Sequence, residues 1–422
     1  MSLAWARRVS VAGVDVGSEA IGGSVGAGFY DGSAKEAGML VQDLIDAMVA
    51  VAPLHAAEEW DRVGLQLGVP SRPIGGPILL TIDLTEAVLG EALKMHAGAI
   101  VAYHPVIWNP LKALTDATHT ERIVRGAAEA GIAIFVPHTA LDAAPGGVTD
   151  WLCEGLSAPV GQAQEGVIHG DCRGLAPATA AQPGREVKVV TFVPSDKVDQ
   201  LRNALGTAGA GGIGNYRLCS FSVEGEGTFM PLDGAEPAIG QVGRLERVRE
   251  RRLEMVCARR SLPIVIETLK QFHPYEEPAF DIVELVPEPI RRAGSGRRLL
   301  LDRPVTIGEL GDRLKSHLGR ARIRYALSGD DRPFRTIGVV PGSGGSLKDL
   351  ALADGCEVFV TGEMTHHEIL ACRQAGMSVL LAGHSNTERG YLKRLAGRLE
   401  AALGDGADIR VSELDRDCIV AV

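Results

Sequence analysis

No apolar run in this chain of 422 residues approaches the roughly 18 to 20 positions that a membrane-spanning helix needs. The stretch after Arg7 and Arg8 is broken by Asp15 and Glu19 before a signal-like core can form, so neither export nor a membrane span is expected. Paired cysteines are missing as well. The seven, at 153, 172, 219, 257, 356, 372 and 418, are scattered, odd in number and without a CxxC. That pattern argues against a disulfide framework and against a zinc ribbon, and it fits a reducing cytoplasm. Nor is there a basic excess: 43 Lys plus Arg face 53 Asp plus Glu. General nucleic-acid binding is therefore not indicated, and a nucleotide partner would need a local basic site.

The length exceeds what one core usually organises and points to two or three domains. Residues 1–38 are rich in Gly, Ser and Ala without periodicity and read as a disordered leader or an overextended start. Met39 then begins an amphipathic helix that ends at Pro53. From GPILLTID onward the chain alternates short apolar runs with helical stretches, over Glu86 to His96 and His119 to Ala130, with another entered near Gly147. The rhythm returns in TIGVVPG, CEVFVTG and SVLLAGH, and Leu392, Leu395, Leu399 and Leu403 mark the stripe of a last helix. This is an α/β pattern with a mostly parallel sheet, its two halves, 39–170 and 297–422, combining into one discontinuous domain. Between them, residues 185–290 read β, α, β, β, α, β, a ferredoxin-like plan, with linker-like flanks APATAAQPG and RRAGSGRR.

Three of the apolar runs end in histidine: IVAYHPVIW at His104, VPHTALDAAPGG at His138 and AGHSNTER at His384. In two of them a carboxylate follows four residues later, Asp142 after His138 and Glu388 after His384. Imidazole with carboxylate is ligand chemistry for a transition metal, and in open α/β sheets ligands gather beyond the carboxyl ends of strands. Gly383 permits a tight turn there, and Thr387 is a candidate cap for the helix presenting Glu388. Each residue has a plainer reading: Asp142 as a helix cap, His138 bonded to a backbone carbonyl. Glu363 and Glu59 are candidates for a general base or for a supporting acceptor, against caps or surface ion pairs. His366 and His367 open a helix after CEVFVTGE, where neighbours point in different directions, so at most one faces the site. Trp60 and Asp61 are expected to pack the first helix rather than touch a ligand. The loop PGSGGS at 341–346 is a tight turn or a phosphate cradle, and HPYEEPA at 273–279 is a rigid loop or a ligand sensor.

AEEWDRVGLQLG at 57–68, AYHPVIW at 102–108, PHTALDAAPGGVTDW at 137–151, TGEMTHHE at 361–368 and GHSNTERG at 383–390 occur in one order. In that order they resemble the Ngg-one-interacting-factor-three-like family, also known as GTP cyclohydrolase 1 type 2 homologues. GIGNYRLCSFSVEGEGTF and FHPYEEPAFDI look like the inserted PII-like domain of its long bacterial members. The resemblance implies a dinuclear metal site in a ring-shaped homohexamer, with His104, Asp142, His384 and Glu388 as ligands. The family's first motif has a His-His pair, and here Tyr103 stands in place of the first His. The second metal is then weakly held, absent, or completed by Tyr103, His138 or water.

The expected cofactor is a divalent or trivalent transition metal, zinc, iron or manganese, at one or two ions per chain. The first expectation for function is metal-dependent hydrolysis of a nucleotide or a related phosphorylated or cyclic compound, with Glu363 as a proton shuttle. The second is a protein that stores, senses or passes on metal, or acts as a scaffold, with the insert regulating access.

Overall fold

Strands that are apolar throughout need cover on both faces, and the short runs of this chain obtain it. The computed structural model describes residues 38–180, 185–320, 322–404 and 406–419, so the expected leader lies, but for Gly38, outside the described residues. The first stretch runs α1 (Val41–Val51), β1 (Gly64–Leu67), β2 (Ile78–Thr81), α2 (Glu86–Lys94), β3 (Ala99–Ala102), α3 (His119–Ala130), β4 (Ala133–Val136), α4 (His138–Ala143) and α5 (Val148–Ser157). Then come β5 (Gly170–Ala180), β6 (Val187–Pro194), α6 (Val198–Thr207), β7 (Phe221–Phe229), β8 (Glu246–Cys257), α7 (Leu262–Phe272), β9 (Phe280–Glu284) and β10 (Glu288–Val305). The last stretch holds α8 (Ile307–Leu318), β11 (Arg324–Ala326), β12 (Phe334–Val339), α9 (Lys348–Ala353), β13 (Val358–Thr361), α10 (His366–Gln374), β14 (Ser378–Leu381), α11 (Asn386–Arg389), α12 (Leu392–Leu403) and β15 (Ile409–Val411).

The fold is mixed α/β, with three sheets among the described residues. One mostly parallel sheet was the expectation for the two outer halves; two sheets are present instead, each parallel in its middle. The first has the order β1-β4-β3-β2-β15, antiparallel only at β1. The second, β11-β14-β13-β12-β10-β5, is parallel from β12 to β14 and antiparallel beyond them. A single run of βαβ units does not reveal where a sheet is divided, because that depends on which edges meet after folding. Here the halves exchange strands, β15 pairing with β2 and β5 joining the second sheet.

Side-chain alternation along each strand then feeds two cores at once. Ile78 and Leu80 point to the same cluster as Val101, Phe135, Ile337 and Val358, between the two sheets. Their neighbours Leu79, Ile100 and Ile134 face the other way, under α2 and α3. Helix α3 is amphipathic through Ile123, Val124 and Ala127, and the Thr118 side chain caps it by accepting from the Glu121 N–H. Helix α2 stops at Lys94, two residues before the expected end.

Residues 185–287 take the expected β, α, β, β, α, β order and form their own antiparallel sheet, β7-β8-β6-β9, with a separate apolar cluster around Val189, Leu201, Leu253 and Val265. The chain leaves for this lobe along β5 and returns along β10, and these strands pair directly, Ala180 opposite Glu288. No described helix is long and apolar enough to cross a membrane.

Candidate metal centre

The segments that follow β3 and β4 of the first sheet and β12 and β14 of the second line one cavity of about 710 Å³. His104 follows β3, His138 follows β4, His384 follows β14, and Gly342 lies just after β12; all four line it with Asp142 and Glu388. The three imidazoles are close, with ring centroids 5.4 Å apart for His104 and His138 and 5.3 Å for His104 and His384.

Each imidazole has its Nδ1 beside a carboxylate: His104 with Asp83 at 2.9 Å, His138 with Asp61 at 2.7 Å and His384 with Glu363 at 2.9 Å. Such a bond sets the tautomer and leaves Nε2 as the free ligand atom. For two of them Nε2 faces Glu388: Nε2 of His104 is 3.5 Å from Oε2, and Nε2 of His384 is 3.6 Å from Oε1. Glu388 is 3% exposed, and its Oε2 is buried without a hydrogen-bond partner among the described residues. The nearest donor, Nε2 of His104 at 3.5 Å, is too far for a good hydrogen bond, so a buried carboxylate oxygen is left for a closer cation to complete. Ligand atoms of His104, His384 and Glu388 lie within 4.8 Å of one another, so these three fit a metal ion.

The electrostatics agree. Burial lowers the His104 imidazole, but Asp83 and Glu388 outweigh it and raise the group to about 10, so in metal-free protein the ring carries a proton. Burial pushes Asp83 up, yet His104, Arg389 and His384 bring it below the usual carboxylate range. Tyr103 is fully packed, and its hydroxyl donates to Asp142 Oδ1. Burial, with the nearby carboxylates, drives this phenol well above its ordinary value, and burial drives Asp142 up as well. Asp142, an expected ligand, accepts the Tyr103 hydrogen bond and stands outside the close group of His104, His384 and Glu388.

Backbone geometry accounts for the placement. His138 adopts φ 33°, unusual for a residue other than glycine, and is held there by Asp61, which also accepts from the Thr139 N–H at 3.1 Å. Gly342 has φ 59°, and a Cβ there would sit 2.6 Å from Glu388 Oε1 and 3.2 Å from His384 Nε2. Gly383 takes the positive φ expected of it, 91°.

Several expectations need correction. Thr387 does not cap α11: its Oγ1 donates to the His384 carbonyl at 2.7 Å and accepts from the Gly342 N–H at 2.8 Å, tying the loop after β12 to the loop after β14. Trp60 and Asp61, expected only to brace the fold, stand at the site. Asp61 holds His138, and Trp60, 56% exposed, stands on the cavity wall near Trp108, with ring centroids 5.8 Å apart. Glu363 does not line the cavity and stands behind His384, while Glu59 is exposed and Glu58 lines the wall instead, bonded to Ser295. His366 and His367 are exposed at the start of α10 and do not line the cavity. Asp83 and Ser295 had no signal in sequence, because each lies far along the chain from the group it supports.

The family model described as Duf34/NIF3 (NGG1p interacting factor 3) matches residues 39–418. A Bacillus subtilis protein named GTP cyclohydrolase 1 type 2 homolog is 35% identical over 378 residues, 89% of this chain and 96% of the relative. NIF3-like protein 1 of Bos taurus is 33% identical, covering 91% of this chain and 93% of its own. Among solved structures, a Bacillus cereus protein related to NIF3 has 33% identity and a TM-score of 0.58, over 91% of this chain and 99% of that one.

Proposed function

Because this chain belongs to the Duf34/NIF3 family, we propose that its strand-end site holds a divalent transition metal, zinc, iron or manganese, and hydrolyses a nucleotide or related phosphorylated compound. The observation that carries this reading is Glu388, a buried carboxylate with an unpartnered oxygen between two imidazoles whose other nitrogens are already engaged. His104, His384 and Glu388 would hold the ion, which when bound supplies Lewis acidity toward water and phosphoryl oxygens. His138, oriented by Asp61, offers Nε2 as the group that takes or gives a proton. Glu58, Ser295, Trp60 and Trp108 would bound the substrate space.

The Tyr103–Asp142 hydrogen bond favours one tightly held ion, since a second would have to displace a proton from that pair. It also supports the alternative, a protein that stores or passes on metal. In keeping with the family resemblance, the reading includes a cytoplasmic homo-oligomer, a hexamer, in which residues 185–290 are an inserted PII-like domain.

Elemental analysis of untagged protein, for wild type, Asp142→Ala, Tyr103→His and His384→Ala, tests the site. One ion per chain is expected in wild type, none in His384→Ala and two in Tyr103→His. Turnover of a nucleotide and cyclic-phosphate panel above the His384→Ala background supports hydrolysis. Bound metal without turnover, together with delivery to an apo-acceptor, transfers the reading to metal handling; wild type without metal sinks both.

A further inference from the structure

A second cavity, of about 660 Å³, lies in the lobe over residues 185–287 and uses none of the metal-site residues. Strand parity places it on the sheet face away from α6 and α7. Leu253, Met255 and Cys257 of β8 enter the apolar cluster beneath the helices, whereas Glu250 and Arg252 line the cavity. The chain covers this face twice, with Met230 to Ile239 after β7 and with Tyr275 to Ala279, the HPYEEPA loop, before β9. The volume is within the usual range for small-molecule sites, about 300–1,000 Å³.

Its chemistry has a sign. The aromatic lining is Phe192, Phe229 and Tyr275, with the last two rings 5.8 Å apart. Five carboxylates line it, Glu224, Glu226, Glu250, Glu276 and Glu277, against one guanidinium, Arg252, whose charge Glu254 already compensates at 2.8 Å. Acids at a rim are ordinarily solvated, and Glu224 and Glu226 have Arg249 and Arg247 beside them. Glu250 is different, being 8% exposed and without an ion pair among the described residues. Its Oε1 accepts from the Tyr275 hydroxyl at 2.7 Å, and its Oε2 lies over Gly227, where an added Cβ would sit only 2.1 Å away. Burial, reinforced by Glu250 itself, pushes the Tyr275 phenol up, so it remains a neutral donor. A carboxylate removed from water with only a neutral partner calls for a counter-charge, and aromatic faces attract the same sign.

We infer that this cavity binds a small organic cation, with an ammonium group at Glu250 and an apolar body against Phe192, Phe229 and Tyr275. The loop at 273–279 is then part of a ligand site, and Gly227 makes room for the carboxylate.

Calorimetric titration of the full chain with 2-phenylethylamine, 2-phenylethanol and phenylacetate tests the inference. Saturable binding of the ammonium form is expected, about tenfold weaker for the alcohol, and none for the anion. Glu250→Gln is expected to weaken amine binding about tenfold, and Phe229→Ala, which leaves the carboxylate in place, to weaken it as well. A circular dichroism spectrum and a urea unfolding profile equal to wild type show that each variant is folded. Should Glu250→Gln not fold, Phe229→Ala and the three-ligand comparison carry the test. Equal affinity for amine and anion, unchanged amine binding in both variants, or no saturation at millimolar amine would overturn it.

Discussion

An imidazole with Nδ1 against a carboxylate has one ring nitrogen left to give, and three of them around one cavity make the candidate metal site a matter of individual hydrogen bonds. Asp83→Asn and Glu363→Gln are expected to weaken metal affinity by roughly 10- to 100-fold, far less than His384→Ala, because they loosen a ligand without deleting it. Competition with a chromogenic chelator measures this. Gly342→Ala puts a methyl into the space of Glu388 and also bears a positive φ, so metal loss and a stability cost of about 1–2 kcal/mol are expected together. Lost metal in an alanine variant that still unfolds cooperatively in urea, with a midpoint lowered by no more than that cost, would separate this from a general folding defect.

Metal uptake should also depend on pH with a definite sign. His104, raised to about 10, must lose its proton to become a ligand, so affinity rises with pH by close to one decade per unit across the neutral range. A flat profile between pH 6 and 8 would contradict a His104 ligand. In sequence, His104, His384 and Glu388 were legible because strand-then-His is a local pattern. Glu363 was legible as a candidate supporting acceptor, whereas Asp83 and Asp61 in their supporting roles were not, since nothing local says which carboxylate will stand behind which ring.

At the scale of elements, α4 and α5 are pinned to β10 by a side chain with no sequence signal. Arg297, fully buried, donates to Asp150 Oδ1 at 2.6 Å and to the carbonyls of Gly294 at 2.6 Å, Arg292 at 2.8 Å and Ala143 at 3.2 Å. Arg297→Ala leaves Asp150 buried without its counter-charge, keeping only the Gly146 N–H at 2.8 Å, and a loss of about 3–5 kcal/mol is expected in urea unfolding. In sequence Arg297 falls in RRAGSGRR, read as a linker-like flank; the structure makes that stretch part of β10, and only the meeting of three elements makes Arg297 a core residue.

Helices α5 and α8 meet at Trp151 and His317, with ring centroids 4.5 Å apart. Burial, helped by the charge of Arg394 and opposed by a backbone bond at Trp151, lowers His317 to about 4. Its folded value is below the unfolded one, so the unfolded chain takes the proton first and stability falls as pH drops from about 6.5 to about 4. The full loss is about 3 kcal/mol, and His317→Leu should flatten that limb of the urea midpoint against pH. Helix limits were the most legible elements: the Thr365 to Glu368 capping box and the His119–Ala130 helix follow from local caps and periodicity.

For the whole molecule, the pairing of Ala180 with Glu288 means that the chain leaves and re-enters the outer part at neighbouring points. Replacing 181–287 with an Asn-Gly turn should therefore join β5 to β10 as a hairpin. The shortened protein is expected to fold with metal content per chain unchanged and with 2-phenylethylamine binding lost. Failure to fold would mean that the lobe's sheet is needed by the rest.

Local physics in the chain itself determined the helices, the apolar strands, the strand-end histidines and the β, α, β, β, α, β order of the lobe, because caps and periodicity act over a few residues. Tertiary structure alone decided that there are two outer sheets, that they exchange β5 and β15, and that Asp83 and Asp61 stand behind the imidazoles. It also decided that Glu250 is buried against Tyr275. Those outcomes depend on which surfaces meet across separations of tens to hundreds of residues, and no local preference encodes the choice.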